Sequence, residues 1–168
     1  SGDAHDDNVA PAIVGGFTVA TEDGVRSVDA DIPLVACLPD IVVSTRDARQ
    51  VVPESASVSQ LVETVGNAAT LTVGMHRDDP ELVGAGMYDS VVTPARAKLI
   101  DGYAAVREAA LDAGASGVTI SGAGPAVIAA CHERNRRTVA VAMLDAFDGH
   151  GVDARVYKTQ IGEGATVF

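Results

Sequence analysis

Short hydrophobic runs separated by polar or glycine-containing stretches predict β-strands in the first part of the chain. Residues 17–21 and 25–28 are two such runs, and Asp23-Gly24 lies between them. Because Asp-Gly favours the tight turns of two-residue hairpin loops, this pattern predicts a β-hairpin. A third run, residues 33–38, is almost entirely apolar and predicts a buried strand.

Apolar residues at three- and four-residue spacing predict helices further along. A Ser-x-x-Asp pattern that begins at Ser44 has the spacing of a capping box and predicts a helix start. In the longest helix, Leu61 and Val65 are expected to face a core. Thr93 is the predicted N-cap of a later helix, with Pro94 at its first position. The predicted helical ranges are 8–14 (helix or turn), 44–52, 57–75, 80–87, 94–114 and 136–147.

Four more strands are predicted around a glycine-rich turn at residues 121–125. They lie near residues 117–120, 126–131, 152–157 and 165–168. From residue 33 onward the order is strand, several helices, two strands joined by the turn, helix and strand. This is the split βαβ order of an α+β, ferredoxin-like domain with extra helices in its first crossover, and we expect the helices on one face of the sheet.

The composition narrows the classes of function. The 168 residues include 47% hydrophobic ones, enough for a sizeable core, and 23 acidic against 12 basic residues give a net charge of −11. Such a charge disfavours nucleic-acid binding. We find no apolar run long enough for a membrane-spanning helix. The excess of Asp and the scarcity of Lys indicate a halophilic source, and the alternative is an ordinary acidic cytosolic protein.

The N-terminus and the cysteines indicate the cytoplasm. The first residues contain no initiator Met, basic segment or apolar segment, so we expect no signal peptide and a chain that begins within a longer protein. Cys37 and Cys131 each lie in an apolar run without a CxxC pattern. They are expected to be buried free thiols in a reducing compartment.

Several short motifs could bind a ligand, and each has a structural alternative. His5 precedes two Asp residues and Asn8, which could be part of a binding site or only of a solvated acidic segment. No second His follows at helical spacing, so no metal site is predicted. Thr45 and Arg49 follow a predicted helix start, and Arg96 is expected in the first turn of another. A cation in a first turn opposes the helix dipole, which favours an anionic ligand there; the alternative is two ordinary capped helices.

The glycine turn is a weak signal by itself. It lacks the third glycine of a dinucleotide-binding fingerprint and the Gly-Lys-Ser/Thr of a P-loop. Gly122 and Gly124 could therefore form a simple hairpin turn or let the backbone approach a ligand closely. The chain shows no nucleophile–base pattern and no glycine-rich phosphate cradle, so no catalytic residue is predicted in it.

Four stretches together resemble the homoserine kinases of the GHMP kinase superfamily. The matching sequences are His-Asp-Asp-Asn-Val-Ala-Pro-Ala from His5, Ser-Thr-Arg-Asp-Ala-Arg from Ser44, Pro-Ala-Arg-Ala-Lys-Leu-Ile from Pro94 and Ser-Gly-Ala-Gly-Pro from Ser121. The glycine turn is shared by the whole superfamily, whereas the other three stretches point to homoserine kinases. The resemblance spans essentially all 168 residues.

The resemblance implies a C-terminal kinase domain over residues 30–168 and a remnant of the N-terminal domain over residues 1–29. It places His5, Thr45, Arg49 and Arg96 around L-homoserine. It also places Asn8, Gly122 and Gly124 near the cleft or in support of a phosphate-binding loop. ATP and Mg²⁺ are implied for the full-length enzyme. Because the family's ATP loop lies in an N-terminal half that this sequence does not include, we expect neither to bind tightly here and the chain alone to be inactive.

Two other functions are compatible with the sequence. Another GHMP kinase acting on shikimate or mevalonate shares the glycine turn, and ferredoxin-like domains also occur as amino-acid-binding regulatory modules. The expected partners are L-homoserine and the missing N-terminal half. An apolar face that the missing half would cover would also favour a homodimer.

Overall fold

The computed structural model describes the backbone of residues 6–166 and the side chains of residues 8–166. These residues form seven helices and six strands. In chain order they are α1 (Asp6–Val14), β1 (Phe17–Thr21), β2 (Gly24–Val28), β3 (Pro33–Pro39), α2 (Thr45–Gln50), α3 (Val58–His76), α4 (Pro80–Gly86), α5 (Val92–Ala97), α6 (Tyr103–Asp112), β4 (Ala115–Ile120), β5 (Val127–Cys131), α7 (Glu133–Asp148) and β6 (Ala154–Gln160). None of the described helices has the length and apolar character needed to cross a membrane.

The predicted hairpin is confirmed. β1 and β2 pair antiparallel, with the pairing ending at Thr21 and Gly24. The predicted strand over 165–168 is wrong for residues 165 and 166, which form no strand, and residues 167–168 lie outside the described part. Gly164 instead lies close to the end of α1, where a Cβ on it would be 2.5 Å from the carbonyl oxygens of Ile13 and Val14. The backbone N–H of Gly16 donates to the carbonyl oxygen of Gly162 at 2.9 Å.

The main sheet has four antiparallel strands in the order β4-β5-β3-β6. β3 lies between β5 and β6, because the chain leaves β3, crosses to the edge strand β4 and returns through β5. This is the strand order of a split βαβ unit, so the predicted ferredoxin-like architecture is confirmed. The extra helices α2 to α5 all lie in the first crossover, as predicted.

The expectation that helices cover only one face of this sheet is wrong. Successive β3 residues point to opposite faces, and Val35 belongs to a core with α6 and α7, whereas Leu34 belongs to a second core. Met75 of α3 and Val83 of α4 are part of that second core. Both faces of β3 and β5 are apolar, so each face requires helical cover.

α3 differs from the prediction in what it buries. The expected core residues Leu61 and Val65 are 59% and 61% exposed, and the helix buries only Gly74 and Met75 at its end. Val58 and Val62 are exposed as well, so no described element covers this apolar side of the helix.

The single helix predicted over 94–114 is two helices. α5 begins at Val92 and ends at Ala97, and α6 begins after Gly102, whose φ of 81° is left-handed. Ile100, in the connection between them, is buried in the main core. The left-handed backbone at Gly102, which glycine adopts easily, separates the two helices.

Candidate functional site

α2 presents Thr45 and Arg49 on its exposed side. Ser44 is its N-cap, and the Ser44 side chain accepts a hydrogen bond from the Asp47 backbone N–H at 3.0 Å, as the capping pattern predicts. Ala48 is fully buried and anchors the helix. Because the helix is only six residues long, Arg49 lies in its last turn.

Asp89, which the sequence analysis did not single out, holds the start of α5. Its carboxylate accepts backbone N–H bonds from Val91 at 2.8 Å, Val92 at 3.0 Å and Thr93 at 2.6 Å. Partial burial opposes ionisation of Asp89, but the bonds from Val91, Thr93 and Val92 together outweigh it and lower the pKa of the carboxyl. Thr93 is therefore not the N-cap. Its hydroxyl lies 3.2 Å from the hydroxyl of Thr119 on β4.

The expected position of Arg96 in the first turn of its helix is also wrong, because the helix begins earlier than predicted. α5 starts at Val92, so Arg96 lies in the last turn, as Arg49 does in α2. A cation in a last turn is favoured by the helix dipole. The helix-dipole argument for an anionic ligand at these two arginines therefore no longer applies.

Arg96 connects three of the stretches that the sequence singled out. Its Nε donates to the carbonyl oxygen of Ala48 at 3.2 Å, and its Nη1 donates to the carbonyl oxygen of Gly122 at 2.7 Å. Ala48 directly precedes Arg49, so the guanidinium of Arg96 contacts the turn of α2 that carries Arg49. α2, α5 and the glycine turn thus meet at one guanidinium group.

The glycine turn joins β4 to β5. The Ser121 N–H donates to the Ala126 carbonyl at 2.8 Å, and the Gly124 N–H donates to the Ser121 carbonyl at 3.0 Å. Gly122 and Gly124 have φ values of 58° and 87°, so both need the left-handed conformation that glycine adopts easily. A Cβ at Gly124 would lie 3.2 Å from the side chain of Ile100, whereas a Cβ at Gly122 would meet nothing within 4 Å. Gly122 therefore faces open space.

The remaining predicted site residues lie on or before α1. Asn8 is exposed on α1, which packs against β1 and β2. His5 lies outside the described residues. The structure thus brings together Arg96, the turn of α2 that carries Arg49, and the glycine turn.

Sequence reasoning missed Asp89 and the carbonyl of Ala48. Asp89 had a usable signal, since an Asp shortly before an apolar helical run is a common N-cap. The role of the Ala48 carbonyl had no signal in the sequence, because every residue has a backbone carbonyl.

The described residues contain no group of three or more His, Cys, Asp or Glu side chains that could hold a metal ion. Both cysteines are buried free thiols, and burial raises the pKa of each to about 11. They behave as small apolar core residues, as expected.

Known proteins match the chain over its whole length. Residues 71–149 match the family described as GHMP kinases C terminal. A homoserine kinase of Haloarcula marismortui is 79% identical over all 168 residues, which are 58% of that protein. The chain thus spans less than two thirds of the length of the curated relatives that it matches.

Two solved structures bear on the fold. The crystal structure of homoserine kinase from Cytophaga hutchinsonii superposes with a TM-score of 0.90 at 37% identity, covering 97% of this chain and 54% of that one. A mevalonate kinase of L. major has a TM-score of 0.65 at 12% identity over 86% of this chain and 48% of that one, which shows a shared fold only.

Proposed function

We propose that this chain belongs to the GHMP kinases and corresponds to the C-terminal part of a homoserine kinase. The full-length protein transfers the γ-phosphoryl group of ATP to the side-chain hydroxyl of L-homoserine, a step of threonine biosynthesis. The new bond joins the homoserine oxygen to the γ-phosphorus, the bond from the γ-phosphorus to the bridging oxygen breaks, and ADP leaves. The hydroxyl proton is released.

The observation that carries this proposal is the meeting of three motifs at Arg96. Its bonds to Ala48 and Gly122 bring the helix of Thr45 and Arg49 next to the superfamily's glycine turn. The 79% identity to a homoserine kinase over the whole chain supports L-homoserine over other substrates.

In this proposal the chain supplies the residues that bind the amino acid. Arg49 and Arg96 bind the carboxylate of homoserine, because guanidinium groups match carboxylates in bidentate geometry. Thr45 contributes a hydroxyl and His5 a ring nitrogen to the same ligand. Asn8 lies beside the cleft, and Gly122 and Gly124 support the loop that binds phosphate.

We assign no catalytic residue to this chain. Its described residues offer no carboxylate cluster for Mg²⁺. In this proposal ATP and Mg²⁺ bind to the rest of the full-length protein. The proposed division is residues 1–29 as part of the N-terminal kinase domain and residues 30–168 as the C-terminal domain.

The test is ADP release by the full-length protein with ATP and Mg²⁺, offered L-homoserine, shikimate or mevalonate. We expect turnover with L-homoserine only, and none from residues 1–168 alone. In Arg49→Ala, the loss of one charge-assisted contact should lower kcat/KM roughly tenfold to a hundredfold.

Arg46→Ala is the matched control, because Arg46 is exposed on the same short helix and is not placed in the site. If the full-length protein prefers shikimate or mevalonate, it is a GHMP kinase with a substrate other than L-homoserine. Calorimetric binding of an amino acid without any phosphoryl transfer would favour a regulatory module.

A further inference from the structure

The two hydrogen bonds of the Arg96 side chain join segments that are far apart in the sequence. Ala48 lies 48 residues before Arg96, and Gly122 lies 26 residues after it. Both acceptors are backbone carbonyls, so the bonds depend on where the two chain segments lie and not on their side chains.

The carbonyl of Ala48 needs a donor from outside its own helix. α2 ends at Gln50, so the carbonyl of Ala48 is among the last four of the helix, which have no intrahelical donor. The Val51 N–H donates to Asp47 and the Val52 N–H to Arg49, which leaves the Ala48 carbonyl to Arg96. Gly122 is at the outer, left-handed corner of the turn between β4 and β5.

Arginine suits this position better than lysine does. Its planar guanidinium holds five N–H donors at fixed angles, and Nε and Nη1 can therefore bond two carbonyls on separate elements at once. The two bonds use two of the five N–H groups. Three remain for a ligand, and the group is already oriented when the ligand arrives.

We propose that Arg96 is a positioning residue that holds α2 and the glycine turn at a fixed separation, and so couples the amino-acid subsite to the phosphate-binding side. This inference rests on the function proposed above. It adds a role to Arg96 that differs from contact with the substrate: the two subsites lose their relative position when Arg96 is changed.

The kinetic test compares Arg96→Lys with Arg49→Lys in the full-length protein. If Arg96 couples the subsites, R96K should raise the KM values for both L-homoserine and ATP, each by roughly tenfold, and R49K that for L-homoserine alone. An unchanged KM for ATP in R96K would reduce Arg96 to a simple carboxylate ligand and overturn the inference.

A second readout does not depend on catalysis. Amide hydrogen exchange of the backbone N–H groups of Ser121 and Gly124, which form the turn's own bonds, should quicken by roughly tenfold in R96K. Arg136→Lys is the matched control, because Arg136 donates to a backbone carbonyl of β6, that of Thr159 at 3.3 Å, away from the turn. Equal exchange in R96K and the unchanged protein would overturn the inference.

A third measurement needs no substitution and covers the case in which R96K fails to fold. In the unchanged full-length protein, the Nε–H of Arg96 should exchange with solvent at least roughly tenfold more slowly than that of exposed Arg46. Equal exchange rates for Arg96 and Arg46 would overturn the inference. If L-homoserine is not phosphorylated at all, the proposed function fails, while the two exchange measurements still decide the inference.

Discussion

At the scale of single residues, two glycines allow α4 to lie directly on β4. A Cβ at Gly84 would lie 2.1 Å from the backbone carbonyl carbon and oxygen of Ser116, and a Cβ at Gly117 would lie 2.4 Å from the backbone of Gly84. These contacts are far inside van der Waals distance, so helix and strand approach at a spacing that only glycine permits. The approach places α4 over the second core, where Val83 is fully buried.

Gly84→Ala should therefore destabilise the protein by about 1–3 kcal/mol, because the helix must move away from the strand. Gly66→Ala is the control: Gly66 is exposed within α3 and a Cβ there meets nothing within 4 Å. It should stabilise the protein by about 0.5–1 kcal/mol through helix propensity alone. Urea unfolding of both variants measures the difference. A neutral G84A would contradict the close packing.

At the scale of elements, the short helix α5 depends on a single carboxylate. Asp89 accepts the N–H groups at its start, and Arg96 extends from its other end. A helix of this length has little stability of its own, so its position rests on the cap and on tertiary contacts. A change at Asp89 should thus reach the site through the orientation of Arg96.

Asp89→Ala should cost about 1 kcal/mol of stability at neutral pH, because it removes the side chain that accepts the N–H groups at the start of α5, as an N-cap does. Because the folded-state pKa of Asp89 is lowered, its contribution is complete above its ordinary pKa of 3.8 and is lost as the pH falls through the folded-state value. The difference in free energy of unfolding between the unchanged protein and D89A should therefore shrink on acidification. Urea titrations at neutral and acidic pH measure it.

Asp79→Ala is a matched control for the expected effect of Asp89→Ala on the site, which is measured as the KM for L-homoserine. Asp79 caps α4 in the same way, accepting the N–H groups of Glu81 at 3.0 Å and Leu82 at 3.2 Å. It should lower stability to a similar extent but leave the KM for L-homoserine unchanged in the full-length protein. Equal KM effects in D89A and D79A would show that stability, and not the position of Arg96, is responsible.

At the scale of the whole molecule, the dominant property is the net charge of −11. Repulsion among so many carboxylates destabilises the compact state, and salt screens it, with a Debye length of about 10 Å at 0.1 M and about 3 Å at 1 M. The melting temperature should accordingly rise with KCl up to roughly 1 M or beyond, measured by circular dichroism. Sucrose of equal osmolality, which does not screen charge, should have a smaller effect. A melting temperature that falls with KCl would contradict this account.

Two errors in the sequence-based predictions, those on α3 and on the helix over 94–114, share one cause. The stripe that includes Leu61 and Val65 has helical periodicity, which predicted the helix correctly but not what would cover that side. Apolar residues on either side of Gly102 have helical spacing and predicted one helix, whereas the structure breaks it at Gly102, where the backbone is left-handed. Hydrophobic periodicity predicts whether a segment is a helix or a strand, whereas the burial of its side chains depends on the elements that pack against it.

What the sequence alone determined was local. The hairpin that joins Thr21 to Gly24, the cap at Ser44, the order of strands and helices and the family's motifs all depend on residues a few positions apart. Only the tertiary structure decided that both faces of the sheet are covered and that Arg96 lies between Ala48 and Gly122. These features join residues that are distant in the chain. The hydrogen bonds of Arg96 end on backbone carbonyls, which every residue has, so the residue types alone could not predict them.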